Sequence, residues 1–192
     1  MIGIHGKMGS GKDTVLERMQ AARPATFQQA SFAAKLKESA AALFGCTVED
    51  LEEAKRRPKS VVMVKDMDTG QIGAFLTIRE FLQRYGTESH RDVFGQNFWV
   101  EIAMNAALRY DRIPVFTDVR FENEALAIRE RGGIIVCIIG PDEDTGGHAS
   151  EVPLPSSLVD FRIDNSRRDD NFASLDRHVH FLLDSIGAPT ND

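Results

Sequence analysis

Cysteine is scarce in this chain: Cys46 and Cys137 are the only two in 192 residues. They form no Cys-x-x-Cys pair, so neither a disulfide framework nor a cysteine-based zinc site follows, and a reducing cytoplasm is the expected compartment. Long apolar runs are missing too, none approaching the roughly 18 residues of a membrane span. The first strand is expected to start at residue 1 or 2, leaving no room for a cleaved signal. Positive charge is in the minority, with 23 Lys and Arg against 29 Asp and Glu and a net charge of −6. That balance disfavours a protein that coats duplex nucleic acid, and no stable nucleic-acid partner is expected. It leaves room for an anionic nucleotide, which needs only a local cationic pocket. Internal repeats and low-complexity segments are absent as well. What remains is ordinary for a globular protein, 42% hydrophobic and 27% charged. The length suits one α/β domain with one or two insertions.

Against that background one segment is dense with meaning: Gly6-Lys7-Met8-Gly9-Ser10-Gly11-Lys12-Asp13-Thr14. It follows a short apolar strand and precedes a helical run, the context in which Gly-x-x-x-x-Gly-Lys is a phosphate-binding loop. Gly6, Gly9 and Gly11 let the backbone turn its N–H groups inward as an anion cradle. The following helix N-terminus adds a favourable dipole, and Lys12 a point charge for the β- and γ-phosphates of ATP. Asp13 stands where most such loops place the Ser or Thr that touches magnesium. Thr14 carries the hydroxyl one residue later, as in small nucleotide kinases rather than GTPases or motor ATPases. Mg²⁺ is thus the expected metal, met directly or through water by Asp13, Thr14 and Asp118.

The rest of the chain alternates strands and helices. Strands are expected over 26–30, 113–117, 134–139 and 161–163, and helices over 32–44, 97–110, 122–131 and 172–186. The helix over 97–110 is expected to carry Phe98, Ile102 and Ala106 on one face. Thr47 to Asp50 reads as a capped helix start, and Thr77-Ile78-Arg79-Glu80 as a capping box opening a helix to about residue 85. Residues 61–65 and 72–76 read as a hairpin about an Asp68-Thr69-Gly70 turn. Residues 140–155 hold three Gly and three Pro and read as a long loop. This pattern implies α/β architecture: a central parallel sheet covered by helices on both faces in three layers, with the ligand at the carboxyl ends of the strands.

Asp118 ends a strand, the place of an acid that holds magnesium, though an N-cap or a partner for Arg120 would fit too. Arg120 emerges at the same sheet edge and reads equally as a phosphate contact or a surface arginine. Residues 82–92 bring Arg84 and Arg91 to the end of a capped helix, with a break at Gly86 and with Thr87 and Glu88 beside them. That suits a bidentate clamp on a second phosphate, or a solvated helix end. Lys55-Arg56-Arg57-Pro58-Lys59 reads first as a solvated face. His178 and His180, two apart on a helix, make no metal site, and His5 and His90 flank the pockets or serve structure.

Together, the segments 10–14, 31–37, 79–92, 117–124 and 148–151 resemble the bacteriophage-type deoxynucleoside monophosphate kinases, a family of P-loop nucleotide kinases. The ending Asp160-Phe161-Arg162-Ile163-Asp164-Asn165 is similar to dephospho-coenzyme A kinases, where such a turn borders the adenine. The resemblance implies a single P-loop kinase domain over 1–192 that phosphorylates a deoxynucleoside monophosphate from ATP. It implies an acceptor-binding insertion over 31–100 and a lid-like loop over 140–157 bearing His148, Ser150 and Glu151. Residues 6–14 and Asn165 would hold ATP. Ser31, Phe32, Lys35, Arg84, Thr87, Glu88 and Arg91 would shape the acceptor pocket, and a homodimer fits the family. The lid-like loop has no arginine. The charge on the transferring phosphoryl would then be met by Lys12, Arg120 and Arg91, with Asp118 between the sites. Three other readings stay open: a dephospho-coenzyme A kinase, a nucleic-acid-associated ATPase using the 55–59 cluster, and a scaffold with a degenerate nucleotide site.

Overall fold

The computed structural model describes residues 1–57, 61–65, 72–140, 153–166 and 171–189. They form two compact units, one of residues 1–32 and 103–192, the other of residues 33–102.

The first unit is built on five parallel strands: β1 (Ile2–His5), β2 (Phe27–Ala30), β5 (Ile113–Val119), β6 (Ile134–Ile139) and β7 (Phe161–Asp164). Their order across the sheet is β2-β5-β1-β6-β7, with β1 in the centre. The strands read as near-continuous apolar runs because both faces are covered. On one face Ile2, Ile4, Val115, Val136, Ile138 and Ile163 pack with Val15, Leu16 and Met19 of α1 (Lys12–Ala22). Leu175, Val179, Leu182 and Leu183 of the last helix, Ala173–Ser185, complete that core. Gly3 faces the other way, where an added Cβ would lie 2.7 Å from Ile128. Ile128 belongs to the helix Glu122–Glu130, which therefore covers the second face. The sheet with helices on both sides is the architecture the alternation predicts, and the parallel strands bring all five carboxyl ends to one edge. That edge carries, in sheet order, Ser31, Arg120, the glycine loop, Gly140 and Asn165.

The second unit holds α2 (Ala34–Phe44), α3 (Val48–Arg56), the antiparallel pair β3 (Val61–Lys65) and β4 (Ile72–Thr77), and α4 (Ile78–Gly86). Ala40, Ala41, Leu51, Ile78 and Leu82 form its core. Both expected capping boxes are present: Thr47 with Asp50 opens α3, and Thr77 with Glu80 opens α4. The Asp68-Thr69-Gly70 turn lies outside the described residues.

The structure differs from the sequence expectation at Gly86 and along the helix Phe98–Ala107. Gly86 does not break the chain: α4 runs through it into a π-helical turn, Thr87–Arg91, and then α5 (Asp92–Phe94). The residue is small for packing reasons. An added Cβ would lie 2.5 Å from Leu36, and the Gly86 carbonyl accepts from Trp99 Nε1 at 3.1 Å. Likewise α6 (Phe98–Ala107) buries Trp99, Val100, Ala103, Met104 and Ala107 rather than a Phe98, Ile102 and Ala106 face. The helix is apolar nearly all round, so spacing alone does not fix which side is covered. The last helices of the first unit complete the set as α7 (Glu122–Glu130) and α8 (Ala173–Ser185). Among the described residues no helix is long and apolar enough to cross a membrane.

Candidate active site

The glycine loop joins β1 to α1 as expected. Gly9 and Gly11 have φ of +80° and +93°, a left-handed backbone that side chains other than glycine rarely adopt. Gly11 also serves as the helix N-cap with no side-chain cap, so the first-turn N–H groups of α1 lack the usual internal competitor for a ligand. Lys12 is half-buried, and its ammonium donates to the Gly6 and Lys7 carbonyls at 2.9 and 2.8 Å. It therefore spans the loop it belongs to. Burial, then the nearby Arg120 charge, lower its proton affinity, while Asp13 and Asp118 raise it. Lys12, Arg120, Asp13 and Asp118 thus form one electrostatic group.

Each neighbour is held from behind. Asp118 lies within β5, one residue before its end at Val119. One carboxylate oxygen accepts from Ser31 Oγ at 2.7 Å and the other from the Phe32 N–H at 3.0 Å. Phe32 is buried and stacks on Phe116 with ring centroids 4.5 Å apart, so its side chain is core rather than pocket wall. Asp13 receives a long hydrogen bond, 3.5 Å, from Gln29 Nε2, which also donates to Thr117 Oγ1 at 3.2 Å. Arg120 is exposed, but its backbone is fixed: Glu124 Oε2 accepts from the N–H groups of Arg120 and Phe121 at 2.7 and 3.1 Å. Glu124 is itself buried, a role the sequence reading misses. An acid three residues after Phe121, at the head of a helix, is the available signal.

His5 is a buried tie between segments of this unit. Its Nδ1–H donates to the Val119 carbonyl at 3.0 Å, and its Nε2 accepts from the Leu154 N–H at 3.4 Å. Burial, aided by the Lys12 charge, lowers its pKa from 6.5, and the bond to Val119 opposes that. Asn165 is only 2% exposed, beneath the loop, and donates to the Ser10 carbonyl.

Lys35 pairs with Glu38 at 2.5 Å, and Arg84 approaches Glu88 at 3.8 Å. Thr87, Glu88 and Arg91 lie on the π-helical turn. Such turns, with their i→i+5 bonds, occur often at functional sites. His90 Nδ1–H donates to the Tyr85 carbonyl, and its ring lies among Tyr85, Phe94, Phe98 and Trp99. In the basic cluster, Lys55 pairs with Glu52 and Arg57 with Glu53, which supports a solvated helix face. Lys59 lies outside the described residues, as do His148, Ser150 and Glu151 of the lid-like loop.

A family model described as deoxynucleotide monophosphate kinase matches residues 46–177. The chain belongs to that family. A protein of Acanthamoeba polyphaga mimivirus bearing a deoxynucleotide monophosphate kinase name is 31% identical over 179 residues, spanning 81% of this chain and 82% of the relative. The deoxynucleoside-5′-monophosphate kinase of Escherichia phage T5 is 23% identical over 224 residues, spanning 86% and 89%. Among solved structures, dephospho-CoA kinase from Campylobacter jejuni superposes with a TM-score of 0.47 at 14% identity, covering 96% of each chain. Shikimate kinase from Bacteroides thetaiotaomicron superposes with a TM-score of 0.43 at 12% identity, covering 97% of each. Likenesses at that level carry no argument about substrate. The family resemblance read from the loop, the Asp118–Glu124 segment and the 79–92 segment is thus matched by kinship along the chain.

Proposed function

We propose that this deoxynucleotide monophosphate kinase family member transfers the γ-phosphate of ATP to a deoxynucleoside 5′-monophosphate, giving ADP and the deoxynucleoside diphosphate. The observation that carries the reading is Lys12, drawn across a glycine loop and coupled by charge to Arg120, Asp13 and Asp118. Such a group neutralises charge on a transferring phosphoryl without covalent participation. The acceptor needs no general base. The second pKa of a phosphate monoester is about 6, so the attacking oxygen is already largely ionised at neutral pH.

Residues 6–14 would hold the donor triphosphate, with Lys12 and Arg120 meeting the developing charge. Asp13, Thr14 and Asp118 offer only hard oxygen donors, the set that suits Mg²⁺ shared with substrate phosphates. When bound, that ion would neutralise and orient phosphate oxygens. Ser31 acts through Asp118, which it orients. Lys35, Arg84, Thr87, Glu88 and Arg91 are proposed for the acceptor, where Arg84 and Arg91 suit bidentate contact to a monophosphate.

A coupled assay for ADP with ATP, Mg²⁺ and a panel of acceptors tests this. Turnover is expected with one or more deoxynucleoside monophosphates. Turnover with dephospho-coenzyme A alone would replace the acceptor, and hydrolysis stimulated by DNA alone would replace the class.

A further inference from the structure

Asn165 follows the last residue of β7, and its place at the sheet edge suggests a role that recognition of the ATP base does not cover. Its backbone N–H donates to the Ile139 carbonyl at 2.7 Å, continuing the sheet. Its side-chain Nδ2 donates to the Ser10 carbonyl at 2.8 Å. The fit is close on both sides of Ser10. A Cβ on Gly11 would lie 2.3 Å from Asn165 Nδ2, and a Cβ on Gly140 would lie 2.6 Å from Ser10 Cα. Only glycines at both places let the loop settle onto this amide.

The amide leaves one of its own groups unpaired. Asn165 Oδ1 is buried without a hydrogen-bond partner, and so is Ser10 Oγ. Leucine has nearly the same shape and would remove the Oδ1 orphan, but it would leave the Ser10 carbonyl without its donor, so the number of unpaired acceptors would not change. What leucine could not do is hold the Ser10 carbonyl. In a trans peptide unit the carbonyl and the next N–H point in opposite directions. Fixing Ser10 O on the Asn165 amide therefore turns the Gly11 N–H to the opposite side of the peptide, away from Asn165.

We propose that Asn165 is a positioning residue for the donor: its carboxamide locks the Ser10–Gly11 peptide so that the Gly11 N–H is presented to the phosphates of ATP. This rests on reading residues 6–14 as the ATP loop. It differs from a contact with adenine, because the side chain acts from beneath the loop and touches its backbone.

The test is titration calorimetry of Mg²⁺–ATP into wild type, Asn165→Leu, Asn165→Ala and Lys12→Ala, with melting curves of each and acceptor KM. Asn165→Leu is expected to melt near wild type, because it exchanges one orphan, Oδ1, for another, Ser10 O. Its affinity for ATP is expected to fall on the order of tenfold, equivalent to about 1.4 kcal/mol, with acceptor KM unchanged. Asn165→Ala should show the same selective loss and carries the test if the leucine variant does not fold. Unchanged ATP affinity in the folded variants would overturn the proposal. So would an equal loss of ATP and acceptor affinity, the mark of a general structural role. Wild type that fails to bind ATP, or Lys12→Ala that binds as wild type does, would overturn the loop reading and this proposal with it. Normal binding by wild type with no effect at position 165 would overturn the proposal alone.

Discussion

The Ser31 hydroxyl donates to the Asp118 carboxylate at 2.7 Å, tying the end of β2 to the end of β5. The two strands are neighbours in the parallel sheet, so the bond links adjacent carboxyl ends at the edge where the loop also lies. With the Phe32 N–H on its other oxygen, Asp118 is aimed before any ligand arrives. Preorganisation of this kind lets a charged group act without reorganising during the reaction.

That arrangement separates two variants. Asp118→Asn can still accept from the Phe32 N–H and pair with Ser31, so the fold is expected to hold while turnover falls on the order of a hundredfold. Ser31→Ala leaves the charge but loosens its aim, and a loss of less than about tenfold is expected. Steady-state kinetics with melting curves checks both. A larger loss in Ser31→Ala than in Asp118→Asn would contradict the assigned roles.

Glu124 holds the Arg120 backbone through two N–H groups. Glu124→Ala removes the one carboxylate oxygen that accepts from both N–H groups at the head of α7, and a stability loss of about 1–3 kcal/mol is expected, measured by urea unfolding. Turnover should fall together with stability, because Arg120 loses its anchor. Unfolding midpoints equal to wild type would show that water replaces the carboxylate.

His5 predicts a pH dependence. Its folded pKa lies below 6.5, so the folded state favours the neutral ring that both donates to Val119 and accepts from Leu154. The stabilisation is present above the unfolded value and is lost as pH falls through the folded one. Between about pH 7.5 and about pH 5, wild type should lose more stability than His5→Gln, measured by urea midpoints at each pH. Parallel losses in the two proteins would remove His5 as the source.

In the second unit, Thr77 accepts from the Glu80 N–H, and Glu80 in turn accepts from the Thr77 N–H and hydroxyl. Thr77→Ala is expected to cost about 1 kcal/mol, visible as a lower melting temperature. Since no donor residue is touched, ATP affinity should not change. A change in ATP affinity would tie α4 to the donor site.

Much of this was legible in the sequence because the signals were local. The glycine loop, both capping boxes and the apolar run of β6 depend on residues a few positions apart. Asp118 and Arg120 follow from their place at the carboxyl end of a buried strand. What escaped depends on contacts distant in sequence. Gly86 reads as a helix break until Leu36 and Trp99 are seen against it, and the hold of the Asn165 amide on the Ser10 carbonyl has no local signal in the sequence. The buried face of α6 is not legible because a helix apolar on most sides carries little directional information in its spacing. Glu124 was visible in kind, as an acid in a first helical turn, yet its service to Arg120 is a matter of geometry.

Lys12 and its loop are proposed to pass the γ-phosphate of ATP to a deoxynucleoside monophosphate. The direct measurement follows γ-labelled ATP with each deoxynucleoside monophosphate, separating products by chromatography, for wild type and Lys12→Ala. Label is expected in a deoxynucleoside diphosphate in equal amount to the ADP formed, with Lys12→Ala folded and slower by on the order of a thousandfold. Label found only as free phosphate, or a Lys12→Ala protein with near-normal transfer, would contradict the account.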